Sequence, residues 1–266
     1  MSDKTTLGSR MKENYENRTK QFLMRRTPTI LRLDGKAFHT FCKGMEKPFD
    51  DGFREDMQLT TAFLCENIQG AKCGYTQSDE ITILLTDYDK LTTDAWFDYN
   101  LQKMVSVSAS MATAKFNQLR LVRELKDSSY EMPMGDIGYQ TLAFFDSRVF
   151  QISDKEEVVN CFLWRQQDAE KNSVSMLAQS LYSTKELHKK HGGDMQEMCF
   201  QKGYNWNDLS AHKKRGSFIV KNTYVDGKLL TEETEILDKS VTRTKWETLE
   251  ETPFFGRERE QILKFL

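Results

Sequence analysis

Gly74-Tyr75-Thr76-Gln77-Ser78-Asp79-Glu80 decides how this chain folds. It joins two apolar runs, residues 71–75 and 81–85, the second reading Ile-Thr-Ile-Leu-Leu. Branched apolar residues on both sides of a short polar link predict two strands closed by a hairpin turn. A turn needs small and polar residues. It does not need two adjacent carboxylates, Asp79 and Glu80, at the mouth of a strand. Like charges so close repel unless something positive stands between them, and a divalent cation is the usual answer. Taken alone, the stretch also reads as a solvated acidic turn.

A second stretch changes the balance. Thr29-Ile30-Leu31-Arg32-Leu33 predicts another strand, and it runs straight into Asp34 and Gly35. Gly allows a backbone to approach a ligand closely. Between the two acidic strand ends, residues 51–68 carry apolar residues at helical spacing. After the hairpin, residues 101–121 predict a helix rich in small residues, which suits close packing on a sheet. Residues 142–152 predict a fourth strand. The order βαββαβ is the split arrangement in which the first and third strands are antiparallel neighbours. In that topology Asp34, ending one strand, and Asp79, preceding its neighbour, meet at one sheet edge. The expectation is therefore an α+β fold: an antiparallel sheet with helices on one face, residues 1–152 forming the core and 153–266 a helical and β extension packed on it.

Composition bounds the function. The 266 residues suffice for one large domain, and 38% hydrophobic and 29% charged residues suit a soluble globular protein. A net charge of −2 leaves no global basic field, so any nucleic acid must be held by a local patch. The five Cys, at 42, 65, 73, 161 and 199, make no C-x-x-C pair, which argues against a disulfide framework or zinc site and for a reducing, cytoplasmic setting. No run approaches membrane-spanning length, and the N-terminus shows no signal-peptide pattern.

Elsewhere the expectations are simpler. Residues 9–22 read as a polar helix, and His39, set among aromatics, as a core residue. Residues 124–140, with Pro133, Gly135 and Gly138, read as a long loop. A long helix is expected over 155–182, then two shorter ones over 183–191 and 194–201 separated by Gly192-Gly193, with His188 and His191 on the surface. Strands are expected over 217–224 and 240–247, with an Asp226-Gly227 turn between them. The charged end, 251–266, reads as peripheral.

Several patterns converge in order: Arg32-Leu33-Asp34-Gly35-x-x-Phe38-His39; Lys47-Pro48-x-Asp50; Gly74-Tyr75-x-Gln77-Ser78-Asp79-Glu80; Phe145-Asp146-x-Arg148; Trp164-Arg165-Gln166-x-Asp168; Tyr204-Asn205-Trp206-Asn207; and Lys214-Arg215-Gly216. Each is weak alone. As an ordered set over residues 9–223 they resemble the tRNA-His guanylyltransferase family.

The resemblance implies a palm-like core, as in polymerases, that extends RNA in the reverse, 3′-to-5′ direction. It implies that Asp34, Asp79 and the Gly35 carbonyl hold two Mg²⁺, with Glu80 in support. It places Arg32, Lys36, Ala37, Phe38, His39, Lys47, Ser78, Lys103 and Arg148 around nucleoside triphosphate, and Arg165, Asn172, Lys213, Lys214 and Arg215 toward RNA. It further implies ATP or GTP as activating and substrate nucleotides, tRNA as partner, and a homotetramer.

This sequence departs from the family at two places. Where guanylyltransferases proper carry His-Ile-Asn-Asn, it has Glu170-Lys171-Asn172-Ser173, and where they carry Lys-Asn-Glu it has Met195-Gln196-Glu197. In the family these regions are tied to RNA recognition, including the His anticodon. The chain thus looks more like the guanylyltransferase-like branch, which repairs truncated tRNA 5′ ends on a template. Two rivals fit less well. A nucleotidyl cyclase or conventional palm polymerase lacks the Lys-Pro-x-Asp and Trp-Arg-Gln motifs. A non-catalytic RNA-binding module would favour exposed aromatic pairs on the central strands, and Arg32, Leu33, Thr82 and Ile83 do not supply them.

Overall fold

The computed structural model describes residues 6–127, 142–231 and 241–266. The chain enters through α1 (Leu7–Asn14), which Thr6 caps by accepting from the Ser9 amide. A 3-10 turn, Glu16–Thr19, follows. The helix is shorter than its polar pattern suggests. From Phe22 onward the backbone is drawn off to bridge Asn100, and the Leu23 amide donates to the Tyr99 carbonyl.

Strand β1 (Thr29–Gly35) comes next, then a single turn α2 (Phe38–Phe41) and α3 (Asp51–Asn67). Asp50 caps α3, accepting from the Phe53 amide at 2.7 Å. The hairpin forms as expected: β2 (Ala71–Gln77) pairs antiparallel with β3 (Glu80–Leu85), and Ser78 and Asp79 are its two loop residues. Then come α4 (Leu101–Asp127) and β4 (Phe145–Gln151). The sheet order β4-β1-β3-β2, with β1 antiparallel to both neighbours, is the split βαββαβ topology.

Alternation along the strands divides the core into two layers. Leu31, Leu33, Ile81, Ile83 and Leu85 point to the face covered by α3 and α4. Two features hold those helices close. A Cβ on Gly74 would fall 2.7 Å from Thr61 Cγ2 and 2.8 Å from Cys65 Sγ of α3. On α4 the buried Ser108 donates to Ser147 of β4 at 2.8 Å, which is the close packing its small residues predict. On the opposite face Ile30, Cys73, Tyr75 and Leu84 meet α5 (Lys155–Leu181) through Val158, Val159 and Phe162.

Beyond α5 lie α6 (Thr184–Leu187), α7 (Gly192–Gln201) and α8 (Ala211–Arg215). Gly192 and Gly193 open α7 rather than separating two helices, because Asp194 caps its start by accepting from the His191 amide. Strand β5 (Ser217–Val225) then continues the same sheet beside β2. It turns through Asp226 and Gly227, both at positive φ, into β6 (Lys228–Leu229), and β7 (Thr242–Thr248) pairs along its other edge. Of the long loop expected over 124–140, residues 124–127 are the end of α4 and the rest lies outside the described residues.

The C-terminal segment corrects its sequence reading. Although charged, it is not peripheral: Phe255 is fully buried against Tyr75, Phe162 and Phe218, and α9 (Glu260–Leu263) buries Ile262 in the same layer. Widely spaced apolar residues in a charged segment gave no helical or strand period to detect. Among the described residues no helix is long and apolar enough to cross a membrane.

Candidate active site

The register of β1 and β3 places Asp34 opposite Glu80, and the Gly35 amide donates to the Asp79 carbonyl at 3.1 Å. The two strand-end carboxylates, Asp34 and Asp79, therefore stand at one sheet edge, as the topology requires. Residues 30, 32 and 34 share a face, so Arg32 and Asp34 both point toward the α5 side. Across β1 the pairs are Asp34 with Asp146 and Arg32 with Arg148.

The acids at this edge live in different environments. Glu80 is buried, and its Oε2 accepts from both Arg32 and Arg165 at 2.9 Å. Asp34 is partly exposed, with the exposed Arg148 guanidinium 3.7 Å away and also 3.4 Å from Asp146. Asp79 has neither kind of support. Burial pushes its pKa up, a hydrogen bond from Ser78 pulls it down, and the charges of Asp34 and Glu80 push it up again. Glu80 is thus neutralised by protein, while Asp34 and Asp79 leave negative charge to be met from outside.

Gly35 ends β1 with little room above the chain. A Cβ there would lie 2.3 Å from the Phe38 ring, which is buried among Phe41, Phe53, Phe116 and Phe145. Phe38 therefore contributes to any ligand site through its backbone, its ring being core. Ala37 sits at φ 56°, and the chain turns into α2, where Thr40 is the first amide to bond back, onto the Ala37 carbonyl. The start of the turn presents amide donors toward solvent, as the first turn of any helix does. Lys36 and His39 flank this turn and are exposed; His39 is not the core residue its aromatic neighbours suggested. Lys47 is exposed before Asp50, and Ser78, at φ 48°, is exposed at the hairpin tip.

Two of the expected residues fall elsewhere. Lys103 lies in the first turn of α4, over the Phe97 ring at 5.7 Å. That helix packs on the face away from Arg32, and Lys103 is about 15 Å along it from Thr113, whose hydroxyl accepts from the Phe145 amide at the catalytic end. Arg165 is only 5% exposed and committed to Glu80, so it holds a carboxylate and does not form an RNA-facing surface. Trp164 beside it is missed by a reading that looks for charge. Its exposed ring lies 3.5 Å over the Arg165 guanidinium and 5.4 Å from that of Arg32. The Trp-Arg-Gln pattern was the available signal.

Of the remaining basic residues, Lys213 lines an open cleft between α3, α5 and α8. Phe49 and Phe53 give it an apolar side, and Ser78, Asn172, His212 and Lys213 a polar one. Asn172 donates weakly to Asp168, Lys213 pairs with Asp51 at 3.1 Å, and Lys214 donates to the Asn207 carbonyl. The Arg215 carbonyl accepts from Tyr75. Burial, then the nearby Arg54 charge, hold the His212 pKa down. Glu170 has its pKa raised by burial while Arg215 and Lys214 pull it the other way.

Among the described residues no three His, Cys, Asp or Glu side chains gather as a ready-made metal cage. Mg²⁺ does not require one. It is usually held by one or two carboxylates together with waters and substrate phosphates, and Asp34, the Gly35 carbonyl and the under-compensated Asp79 fit that donor set.

An antiparallel sheet whose edge presents two carboxylates, a turn of amide donors and an exposed arginine defines a nucleotidyltransferase. The chain belongs to the tRNA-His guanylyltransferase family, whose sequence profile matches residues 8–153. It is 28% identical over 202 residues to an uncharacterized protein of Acanthamoeba polyphaga mimivirus, covering 72% of this chain and 69% of that one. It is 27% identical over 213 residues to the tRNA(His) guanylyltransferase of Debaryomyces hansenii, covering 75% and 76%. Among solved structures it is similar to a bacterial tRNA(His) guanylyltransferase-like protein in complex with ATP, at 42% identity and a TM-score of 0.80 over 98% of this chain and 99% of that one. A GTP complex of such a bacterial protein gives 43% and 0.76 over 97% of each. The Saccharomyces cerevisiae guanylyltransferase, at 20% identity and a TM-score of 0.64 over 84% of this chain and 97% of that one, shares the fold.

Proposed function

We propose that this nucleotidyltransferase adds nucleotides to the 5′ ends of truncated tRNAs in the 3′-to-5′ direction, with the opposite strand as template. The observation that carries the reading is the meeting of Asp34 and Asp79 at the β1–β3 edge, beside an amide turn and Arg148. Likeness to a bacterial protein solved with ATP supports a nucleoside triphosphate as the ligand of that edge.

The chemistry has two halves. A 5′-monophosphate oxygen of the RNA attacks the α-phosphorus of ATP, and pyrophosphate leaves. The 3′-hydroxyl of the incoming nucleotide then attacks the activated 5′-phosphorus, and AMP leaves. An RNA with a 5′-triphosphate enters at the second half. No side chain forms a covalent intermediate. Asp34, Asp79 and the Gly35 carbonyl would hold the two Mg²⁺, which supply charge neutralisation and activation of the attacking hydroxyl when bound. Arg148 and Lys47 neutralise phosphate oxygens, with Arg148 released from Asp34 and Asp146 as it does so. The amides of the α2 turn donate to triphosphate oxygens from the α3 side of the sheet. Glu80, tied to Arg32 and Arg165, fixes the start of β3 and so the height of Asp79.

Repair is favoured over a dedicated His-tRNA activity by Glu170. An anticodon reader needs donors placed for particular base edges, since base contacts specify and phosphate contacts only position. Here a half-buried carboxylate stands beside Lys214 and Arg215, at the place where the family motif that this sequence resembles has His. The alternative, guanylyl addition to tRNA-His, rests on the names of the curated relatives. The test compares 5′-truncated tRNA-His with the same body carrying a foreign anticodon, at matched salt. Repair predicts similar rates. A tenfold preference for the His anticodon, about 1.4 kcal/mol, would establish the alternative.

A further inference from the structure

We infer that Trp164 is a stacking platform for the 5′-terminal nucleobase of the RNA being extended. The proposal rests on the reading of the site given above and adds the contact that seats its RNA substrate.

Three observations converge on it. The first is exposure. Trp164 is 52% exposed, yet its helix neighbours Arg165 and Gln166 are buried. The second is the construction beneath the ring. The Arg165 guanidinium lies 3.5 Å from it and is itself fixed by Glu80 at 2.9 Å. Its buried Nε finds no hydrogen-bond partner, so that edge of the cation is served by the ring. One face of the indole is thereby backed by a fixed cation, and about half of the side chain stays exposed. A side chain held this way is preorganised for a second flat ring.

The third is position. Arg32 is 5.4 Å from the ring and two residues along β1 from Asp34. At about 3.4 Å per strand residue, the indole stands roughly 12 Å from Asp34, on the same face of the sheet. α5 packs over β2 there and leaves Asp146 and Arg148 of β4 exposed. Trp164 and the Arg148 guanidinium are therefore both exposed on the face of the sheet that carries Asp34. Stacking on an aromatic wall beside a cationic floor is how proteins hold single-stranded ends without reading sequence. That property suits an enzyme serving several tRNAs. The amide turn and Lys47 adjoin α2 and α3, on the other face of the sheet, so the nucleoside triphosphate and the RNA end reach the carboxylates from different sides.

The rival role for Trp164 is a cover that keeps water from the Glu80–Arg165 pair. One binding experiment separates the two. Equilibrium affinity is measured for 5′-monophosphorylated, 5′-truncated tRNA and for the same RNA with an abasic 5′-terminal nucleotide, using wild type, Trp164→Phe and Trp164→Ala. Stacking predicts that Trp164→Ala weakens binding of the intact RNA roughly 5- to 150-fold. Trp164→Phe should lose less than Trp164→Ala. The abasic RNA should cost the wild type a similar factor and Trp164→Ala nothing more, while KM for ATP stays within about twofold. The inference is overturned if Trp164→Ala binds intact RNA as wild type does. It is also overturned if the abasic and Trp164→Ala losses multiply, or if the loss comes with a lowered melting temperature and an equal rise in the ATP KM. The abasic arm needs no substitution, so a variant that fails to fold still leaves a decision. A wild-type chain that binds the RNA end through Trp164 but never lengthens it would sink the proposed function and leave this inference standing.

Discussion

Glu80 offers the sharpest separation of structural from catalytic roles, and the expected size of its effect follows from its surroundings. It is 6% exposed, and its Oε2 takes hydrogen bonds from Arg32 and from the almost fully buried Arg165. Glu80→Gln keeps the shape and removes the charge, leaving two guanidinium groups facing one another. Removing one partner of a buried ion pair costs about 3–5 kcal/mol, because the surviving charge stays desolvated. Asp168, 3.6 Å from Arg165 and partly exposed, offsets some of that, which places the expectation near the lower end, about 3 kcal/mol. For a chain of this size that is a fall in Tm of roughly 6–12 °C. Thermal and urea unfolding of Glu80→Gln, Arg165→Met and the Glu80→Leu/Arg165→Met pair would measure it. The double variant should be less destabilised than the sum of its parts, since Arg165 no longer faces a missing carboxylate, although Arg32 still loses its partner. A Glu80→Gln protein that melts within 1 °C of wild type, at the precision of about 1 °C such scans allow, but has lost turnover would refute the structural role and make Glu80 a direct participant.

The other predictions concern the open edge. Asp79 has its pKa raised, chiefly by burial and then by Asp34 and Glu80. Its neutral form therefore favours folding below the unfolded carboxylate value of about 3.9, and that contribution is lost as pH rises through the higher folded value. Asp79→Asn should accordingly melt above wild type at neutral pH in the absence of metal, with the gap closing as pH is lowered. Added Mg²⁺ should raise the Tm of wild type and not of Asp79→Asn; an equal response in both would remove Asp79 from the metal site. Asp34→Ala and Asp79→Ala should each cut turnover at least about a hundredfold, some 3 kcal/mol of barrier, in single-turnover assays on folded protein. Arg148→Ala and Lys47→Ala should impair activation of monophosphorylated RNA, with part of the loss recovered on 5′-triphosphorylated RNA. A fall in RNA affinity with unchanged nucleotide use would make them RNA contacts instead.

The catalytic edge was legible because it follows from topology. Once Thr29 to Leu33 and Ile81 to Leu85 read as strands separated by one helix and one hairpin, the meeting of Asp34 and Asp79 needed no further information. What was not legible depends on which way side chains turn in three dimensions. Arg165 belongs to a basic motif, and only the packing of α5 shows that it points inward to Glu80. Lys103 starts a helix whose later turns reach the site, and helix length alone sets it about 15 Å back. His39 is exposed beside the buried Phe38, because neighbouring residues on a helical turn point about 100° apart. The C-terminal segment hid its role because Phe255 and Ile262 are anchors spaced too far apart to form a pattern.

The central claim is growth of RNA at its 5′ end. The most direct measurement uses a tRNA lacking its first nucleotide, internally labelled, with ATP, Mg²⁺ and each nucleoside triphosphate supplied singly. The account predicts extension by one residue at the 5′ end, chosen by the opposing base of the acceptor strand, and loss of that extension in Asp34→Ala and Asp79→Ala. Extension at the 3′ end, or guanosine addition whatever the opposing base, would contradict it.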